Sequence, residues 1–186
     1  MKQSFWKLAA AWAALTFYIP HAISAENLAV GRINAELGLA YLAEGYGIAS
    51  KIALLKAVQE APSLPVVWYA MGYYLEKTGD IAQAAHYYQI AIRVDKHSGE
   101  AKKNYGAFLC RQKNYHAGIQ ELLLAIQTPG YLDTAAAFEN AGHCALKIPD
   151  TQLAAIYFRK ALQNDPNLAS AKVALRKISG RTIHAQ

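Results

Sequence analysis

The sequence is poor in the residues that build cross-linked miniproteins and metal-dependent folds. Its 186 residues include only 2 cysteines, and no CxxC pair or Cys/His ligand spacing suggests structural zinc. Only 6 prolines and 17% charged residues, against 54% hydrophobic ones, exclude a disordered tail. The apolar run Leu8 to Ile19 spans twelve residues, whereas a membrane-crossing helix needs about 20. The remaining class is a chain that buries a hydrophobic core, as one domain or as an array.

The first 25 residues have the organisation of a secretory signal peptide. Lys2 and Lys7 supply a basic start, the apolar run follows, and small and polar residues lead to an expected cut after Ala25. An uncleaved N-terminal anchor is the alternative. A lipoprotein signal would need a cysteine here, but the first one is Cys110, so we expect no lipid anchor. Export places the chain in an oxidising compartment.

Two series of small residues recur along the chain in one register. One series consists of glycines and the other of alanines. Each glycine of the first series is followed after 19 residues by an alanine of the second, which leaves room for two amphipathic helices of about three turns. We expect each glycine to lie where the two helices cross, facing Ala49 or Ser50, Ala84, Gly118 and Ala154 in turn. Successive members of each series are 34, 34 and 36 residues apart. The glycine series is Gly38, Gly72, Gly106 and Gly142, and the alanine series is Ala57, Ala91, Ala125 and Ala161.

This period and content are the tetratricopeptide repeat pattern. The second unit carries it clearly, in Trp68, Gly72, Ala84, Tyr88 and Ala91. The pattern predicts an all-α, right-handed superhelix of helix hairpins, closed by a capping helix from Asn167 to about Ile178. The predicted organisation is four repeats, 31–64, 65–98, 99–132 and 135–168, followed by a basic capping helix and tail, 169–186.

In such a superhelix the first helix of each unit lines a concave wall, and an extended segment of a partner is the default ligand. Asn104 and Asn140 share the register position two residues before the glycine. Their amides could pair with a peptide backbone, or could hydrogen-bond a neighbouring helix, and the sequence leaves both hypotheses open. No full set of Lys and Arg for gripping a terminal carboxylate spans adjacent units. The predicted partner-binding groove is Tyr69, Tyr73, Lys103, Asn104, Arg111, Glu139, Asn140 and His143.

The two cysteines, Cys110 and Cys144, lie on the first helices of adjacent units. Neighbouring helices about 9 to 10 Å apart could bring the sulfurs together, so in an oxidising compartment a disulfide is the leading interpretation. The alternative is a catalytic cysteine served by His116 or His143. His143 directly precedes Cys144, and adjacent helical residues point about 100° apart, which is poorly aimed for proton transfer. Since no other motif supplies chemistry, we expect no catalytic, metal or cofactor site.

Three sequence segments resemble one particular family and are more specific than the repeat pattern alone. NYGAFLC at 104–110 is followed by FENAGHC at 138–144, and NAELGLAYL at 34–42 opens the first repeat. These are similar to type IV pilus biogenesis and stability proteins of the PilF/PilW type, which are periplasm-facing tetratricopeptide proteins of the outer membrane. The resemblance implies a pilotin that helps the secretin, the outer-membrane pore, to localise and multimerise. It also implies no catalysis and a paired Cys110 and Cys144.

The formal charge of +6 is unevenly placed. Residues 26–166 carry 13 basic and 13 acidic side chains, which argues against a nucleic-acid channel. After removal of the leader the excess comes from Lys172, Arg176, Lys177 and Arg181 near the C-terminus. These predict either a solvated cap with favourable charge at a helix end or peripheral contact with anionic lipid or an acidic partner.

Two other functions compete with the pilotin role that the resemblance implies. One is another exported scaffold for cell-envelope assembly, and the less favoured one is a cysteine-dependent enzyme.

Overall fold

In the computed structural model, the backbone is described for residues 25–183 and the side chains as far as Gly180. The signal-peptide prediction therefore falls, apart from Ala25, outside the described residues, as does the side chain of Arg181. Every regular element between 25 and 183 is an α-helix, in agreement with the predicted all-α class. The helices are α1 (Ala25–Ala43), α2 (Gly47–Glu60), α3 (Pro65–Thr78), α4 (Ile81–Val94), α5 (Gly99–Arg111), α6 (Tyr115–Ile126), α7 (Thr134–Ala145), α8 (Thr151–Asn164) and α9 (Ala169–Ile183).

The first eight helices form four hairpins, one for each predicted repeat, although α1 begins at Ala25, before the first predicted repeat, and α7 begins at Thr134, just before the fourth. The turns follow from local sequence. In the second hairpin Gly79 adopts φ 94°, a left-handed conformation that suits glycine, and ends α3. The Asp80 side chain then accepts a hydrogen bond from the Gln83 amide and caps α4. Asp150 caps α8 in the same way through Leu153. Breaker and cap residues therefore set the bounds of these helices.

At the predicted glycine crossings the two helices of a hairpin approach each other closely. At Gly106 an added Cβ would lie 2.8 Å from the carbonyl oxygen of Gly118, so only the two glycines permit this approach of α5 and α6. An added Cβ would lie 2.8 Å from the ring of Phe158 at Gly142 and 3.2 Å from the ring of Tyr88 at Gly72. In the first hairpin, where the sequence allowed either Ala49 or Ser50, an added Cβ at Gly38 would lie 3.3 Å from the Ser50 carbonyl oxygen, but the Leu54 side chain is nearer, at 2.5 Å. At Gly142 the nearest atoms likewise belong to Phe158 and not to the expected Ala154.

The hairpins stack in chain order. The first helices α1, α3, α5 and α7 contact one another in succession, and each second helix also packs on the first helix of the next hairpin. A large apolar cluster joins the third and fourth hairpins to α9, and another joins the first two hairpins. The cluster between the second and third hairpins is small, with Ala84, Tyr88 and Phe108 as its buried residues.

The last helix, α9, covers the fourth hairpin. Ala171 and Ala174 are buried in the same cluster as the fourth hairpin, as the expected cap requires. The helix begins two residues after the expected Asn167 and runs beyond Ile178. Arg176 lies 34 residues after Gly142, at the register of the crossing glycines, and is exposed. Among the described helices none is both long enough and apolar enough to cross a membrane.

Candidate functional site

A groove lies between the C-terminal ends of α5 and α7, and we call it the α5/α7 groove. Its volume is about 390 Å³. Its floor contains the Cys110–Cys144 disulfide, which joins the two helices with their Cα atoms 5.5 Å apart. The groove is lined by Ala107, Cys110, Arg111, Lys113, Tyr115, Asn140, His143, Cys144 and Lys147.

The disulfide connects adjacent repeats at a separation of 34 residues. Cys144 is almost fully buried, and its sulfur lies 3.4 Å from the carbonyl oxygen of Tyr115. Because both cysteines of the sequence are joined, neither presents a thiolate in this structure. The arrangement is the pairing that the sequence favoured over a cysteine nucleophile.

Three of the eight predicted groove residues come together here, namely Arg111, Asn140 and His143. The side chain of Asn140 makes no hydrogen bond to the described part of the chain, and the His143 ring packs edge-on against Phe158. The Glu139 carboxylate lies 3.9 Å from the Nε2 atom of His143. The amide of Asn140 is therefore the group best placed to pair with an incoming backbone.

Asn104 and Lys103, on the N-terminal half of α5, are engaged within the protein. The Asn104 amide donates to the Glu100 carbonyl of its own helix at 2.8 Å, which neither sequence hypothesis anticipated. Lys103 forms ion pairs with Glu100 at 2.8 Å and with Asp133 at 2.6 Å. Burial acts to lower the pKa of Lys103, but hydrogen bonds to both carboxylates outweigh it and raise the pKa. Lys103 therefore stabilises the junction between the third and fourth repeats and is not available to bind a ligand.

Arg111 connects the groove to the second repeat. Its guanidinium donates to both carboxylate oxygens of Glu76, Nε at 2.6 Å and Nη2 at 2.8 Å, and lies over the Tyr73 ring. Burial acts to lower the pKa of Arg111, but hydrogen bonding and charge from Glu76 outweigh it and raise the pKa. The Tyr88 hydroxyl also donates to Glu76, and burial, followed by that carboxylate, raises the pKa of Tyr88. Tyr73 thus lies on this wall beyond the groove.

Tyr69 also lies outside the groove, on α3, packed against both of the apolar clusters that meet at the second repeat. Burial, followed by the charge of Glu100, raises its pKa to about 12. Tyr69 therefore acts mainly as a packing residue of the wall.

Two groove residues, Lys113 and Tyr115, were missed by sequence reasoning. Lys113 lies in the turn after α5 with φ 67°, and Tyr115 begins α6, so neither belongs to a first-helix face. The signal that could have found them is the turn itself, because it returns the chain beside Cys110. Lys113 and Lys147 are exposed cations without an ion pair in the described chain, so the rim of the groove is cationic and its floor is apolar.

The groove continues toward α9. A second cavity of about 430 Å³ shares His143 and extends over Leu146, Val173 and Lys177. Lys172, Arg176 and Lys177 are all exposed on α9. In the described chain no group of His, Cys, Asp or Glu side chains is arranged to hold a metal ion. The geometry suits a short extended polypeptide, with polar or acidic groups at the rim and apolar groups at the floor.

Comparison with known proteins agrees with this architecture. The tetratricopeptide repeat family model matches residues 69–131. An uncharacterised protein of Haemophilus influenzae is 33% identical over 124 residues, which cover 67% of this chain and 69% of the relative. The chain belongs to the tetratricopeptide repeat family, and the predicted superhelix of repeat hairpins is confirmed.

Two solved structures of pilus proteins are similar to the chain. PilF of Pseudomonas aeruginosa matches with a TM-score of 0.76 and 27% identity, covering 86% of this chain and 72% of PilF. PilW, described as a widely conserved type IV pilus biogenesis factor, matches with a TM-score of 0.69 and 22% identity, covering 76% of this chain and 65% of PilW. The PilW match shows a shared fold.

Proposed function

We propose that this protein is a non-catalytic adaptor of type IV pilus biogenesis that helps the outer-membrane secretin to localise, multimerise and remain stable. The observation that carries the proposal is the similarity to PilF over most of both chains. The phrases around Cys110 and Cys144, where the sequence resembles the PilF/PilW type, support it from within the groove. The chain belongs to a family of helical scaffolds that bind other proteins, and this membership supports an interaction role rather than catalysis.

The proposed binding site is the α5/α7 groove. A segment of the partner would lie along the first helices. The free Asn140 amide would hydrogen-bond to the backbone of that segment, and an acidic or polar group of the segment would lie near Lys113 and Lys147. The disulfide keeps α5 and α7 at a fixed separation, so the groove is formed before the partner arrives. Such preorganisation lowers the entropy cost of binding.

The proposed location is the periplasm, in association with the outer membrane. The signal-peptide pattern supports export, and the Cys110–Cys144 pair is of a kind that persists in oxidising compartments. The alternative of an uncleaved anchor makes a different prediction, because the exported protein would then keep its leader. Mass spectrometry of the protein from the cell envelope distinguishes the two.

The test is a deletion of the gene, with detergent-resistant secretin multimers and surface pili as readouts. The deletion strain is complemented with wild type, with Asn140→Ala and with the matched control Asn104→Ala, whose amide is already engaged in its own helix. We expect the wild type and Asn104→Ala to restore multimers. Loss of one hydrogen bond in Asn140→Ala should weaken binding by about 3- to 10-fold.

Two results would contradict the proposal at different levels. Normal multimers and pili in the deletion strain would remove the secretin role and leave the other exported scaffold for envelope assembly. Full activity of a folded Asn140→Ala variant, in a strain where deletion does abolish multimers, would instead move the binding site away from the α5/α7 groove.

A further inference from the structure

One helix carries a row of exposed apolar side chains that the fold does not use. Ile48, Ile52 and Leu55 on α2 are 82%, 64% and 53% exposed, and their spacing places them on one helical face. The opposite face of α2, which includes Leu54 and Ala57, is buried in the core. We call the exposed row the α2 ridge.

The other hairpins provide an internal comparison for the α2 ridge. The second helices α4, α6 and α8 have the same architecture, so equivalent residues follow from the repeat spacing. Most of the equivalents are polar, and the repeat packing therefore does not require apolar side chains at these positions. They are Ala82, His86 and Gln89 in α4, His116, Gln120 and Leu123 in α6, and Gln152, Ile156 and Arg159 in α8.

The surroundings of the ridge indicate what covers it. With 100° per residue, Lys51 lies about 60° to one side of Ile48 around the helix and Lys56 about 80° to the other. Both lysines are exposed, and neither forms an ion pair in the described structure. At the N-terminal end of the ridge Tyr46 is 62% exposed and packs edge-on against Tyr41. An apolar strip between two cationic flanks, with an aromatic residue at one end, matches the lipid-facing side of a helix that lies in a membrane interface, while the opposite face of α2 packs on the core of the protein.

The same features disfavour the other occupants. Antiparallel pairing with the α2 ridge of a second copy would bring Lys51 and Lys56 of both chains into one small area, where like charges repel. Two ridge residues, Ile48 and Ile52, line a depression that is open to solvent and does not enclose a peptide, together with Gly45, Tyr46, Gly47 and Ala49. A soft anionic surface accepts an exposed apolar strip with lysines on both sides, because the lysine stems extend toward the head groups.

We propose that the α2 ridge docks on an anionic lipid surface, with Ile48, Ile52 and Leu55 entering the interface and Lys51 and Lys56 contacting lipid phosphates. The contact is on the first hairpin and is separate from the α5/α7 groove and from the basic residues of α9. It does not depend on the pilus assignment.

The test places an environment-sensitive NBD fluorophore on the unreduced full-length protein through Ile52→Cys. His86→Cys, the equivalent position in α4, is the matched control. The native disulfide leaves the introduced thiol as the one to be labelled. The probes are vesicles of phosphatidylcholine alone and of phosphatidylcholine with a minority of phosphatidylglycerol, and circular dichroism checks the fold of each variant.

We expect the label at position 52 to shift to the blue and brighten with anionic vesicles, while the label at position 86 stays unchanged. Reversal of both flanking charges, Lys51→Glu with Lys56→Glu, should weaken the anionic preference by at least about fivefold for each lysine. An equal response at positions 52 and 86 would overturn the proposal, because it would show tethering by another part of the chain. So would a response that depends on protein concentration without vesicles, which would identify a second copy as the occupant. No response at either position would exclude a lipid contact.

Discussion

The crossing glycines give a graded prediction of stability. In Gly106→Ala the new methyl group would lie 2.8 Å from the Gly118 carbonyl oxygen and 3.0 Å from the Leu122 amide nitrogen, and backbone atoms cannot rotate away. In Gly72→Ala the nearest atoms are the Tyr88 ring at 3.2 Å and a carbonyl at 3.3 Å, so small adjustments suffice. In Gly180→Ala nothing lies within 4 Å.

Two opposing terms set the magnitudes. Replacing glycine by alanine inside a helix gains about 1 kcal/mol of helix propensity. Overpacking a tight contact costs about 1 to 3 kcal/mol, and more where backbone must move. The free energy of unfolding should therefore fall by about 2 kcal/mol in Gly106→Ala, stay within about 1 kcal/mol in Gly72→Ala, and rise by about 0.5 kcal/mol in Gly180→Ala, which is close to the end of α9.

The assay is urea and thermal unfolding followed by circular dichroism. For a chain of this size 1 kcal/mol corresponds to about 2 to 4 °C, so Gly106→Ala should lower the melting temperature by about 4 to 8 °C. Gly118→Ala approaches the same contact from the other helix, with its methyl group 2.8 Å from the Gly106 carbonyl oxygen and also against the disulfide-bonded sulfur of Cys110, so it should lower the stability at least as much. If Gly106→Ala proved as stable as Gly72→Ala, the close approach of α5 and α6 would not depend on glycine and the reasoning would fail.

Three further predictions concern bonds and charges. Reduction, or replacement of Cys110 and Cys144 by alanine, opens a loop of 34 residues and should cost about 4 kcal/mol of unfolding free energy, seen as a lower melting temperature than in the unreduced protein. A count of two free thiols on the unreduced protein would contradict the disulfide and the stabilisation expected from it. Glu76→Gln breaks the bidentate bond to Arg111 and should cost about 1 to 2 kcal/mol in urea unfolding, and a loss below about 0.5 kcal/mol would place this pair among ordinary surface ion pairs. Tyr69, whose pKa is raised from 10.0 to about 12, ionises more readily when unfolded, so its contribution is complete below pH 10 and is lost as the pH rises toward 12. Tyr69→Phe should therefore make stability less steeply dependent on pH in that range, and an unchanged slope would show that Tyr69 is not the group responsible.

The repeat architecture could be predicted from the sequence because it rests on local signals that recur. Glycine crossings and helix-breaking turns such as Gly79 and Asp80 each act within one hairpin, so their spacing suffices. The groove was only partly predictable. The identical register of Asn104 and Asn140 predicts their direction, but one amide bonds to its own helix and the other remains free, and that difference depends on neighbours that register does not specify.

Contacts between distant residues were the least predictable. Glu76 and Arg111 are 35 residues apart and meet only after the second and third repeats have stacked. The lining role of Lys113 likewise depends on how the turn after α5 is placed against α7. Pairings of this kind are properties of the assembled stack, and a single sequence contains no periodic signal for them.

The small apolar cluster between the second and third repeats determines how the molecule comes apart. In a linear stack each junction contributes its own share of cooperativity, and a weak junction divides the chain into separately unfolding blocks. Here the C-terminal block is closed by a covalent bond between α5 and α7, whereas its boundary with the N-terminal block depends on Phe108, Tyr88 and the Glu76–Arg111 pair. Under mechanical load or in moderate denaturant, the first two hairpins should detach as one body. The remaining half would keep the α5/α7 groove intact, so that a pull on the N-terminal side would open this joint and leave the groove in place.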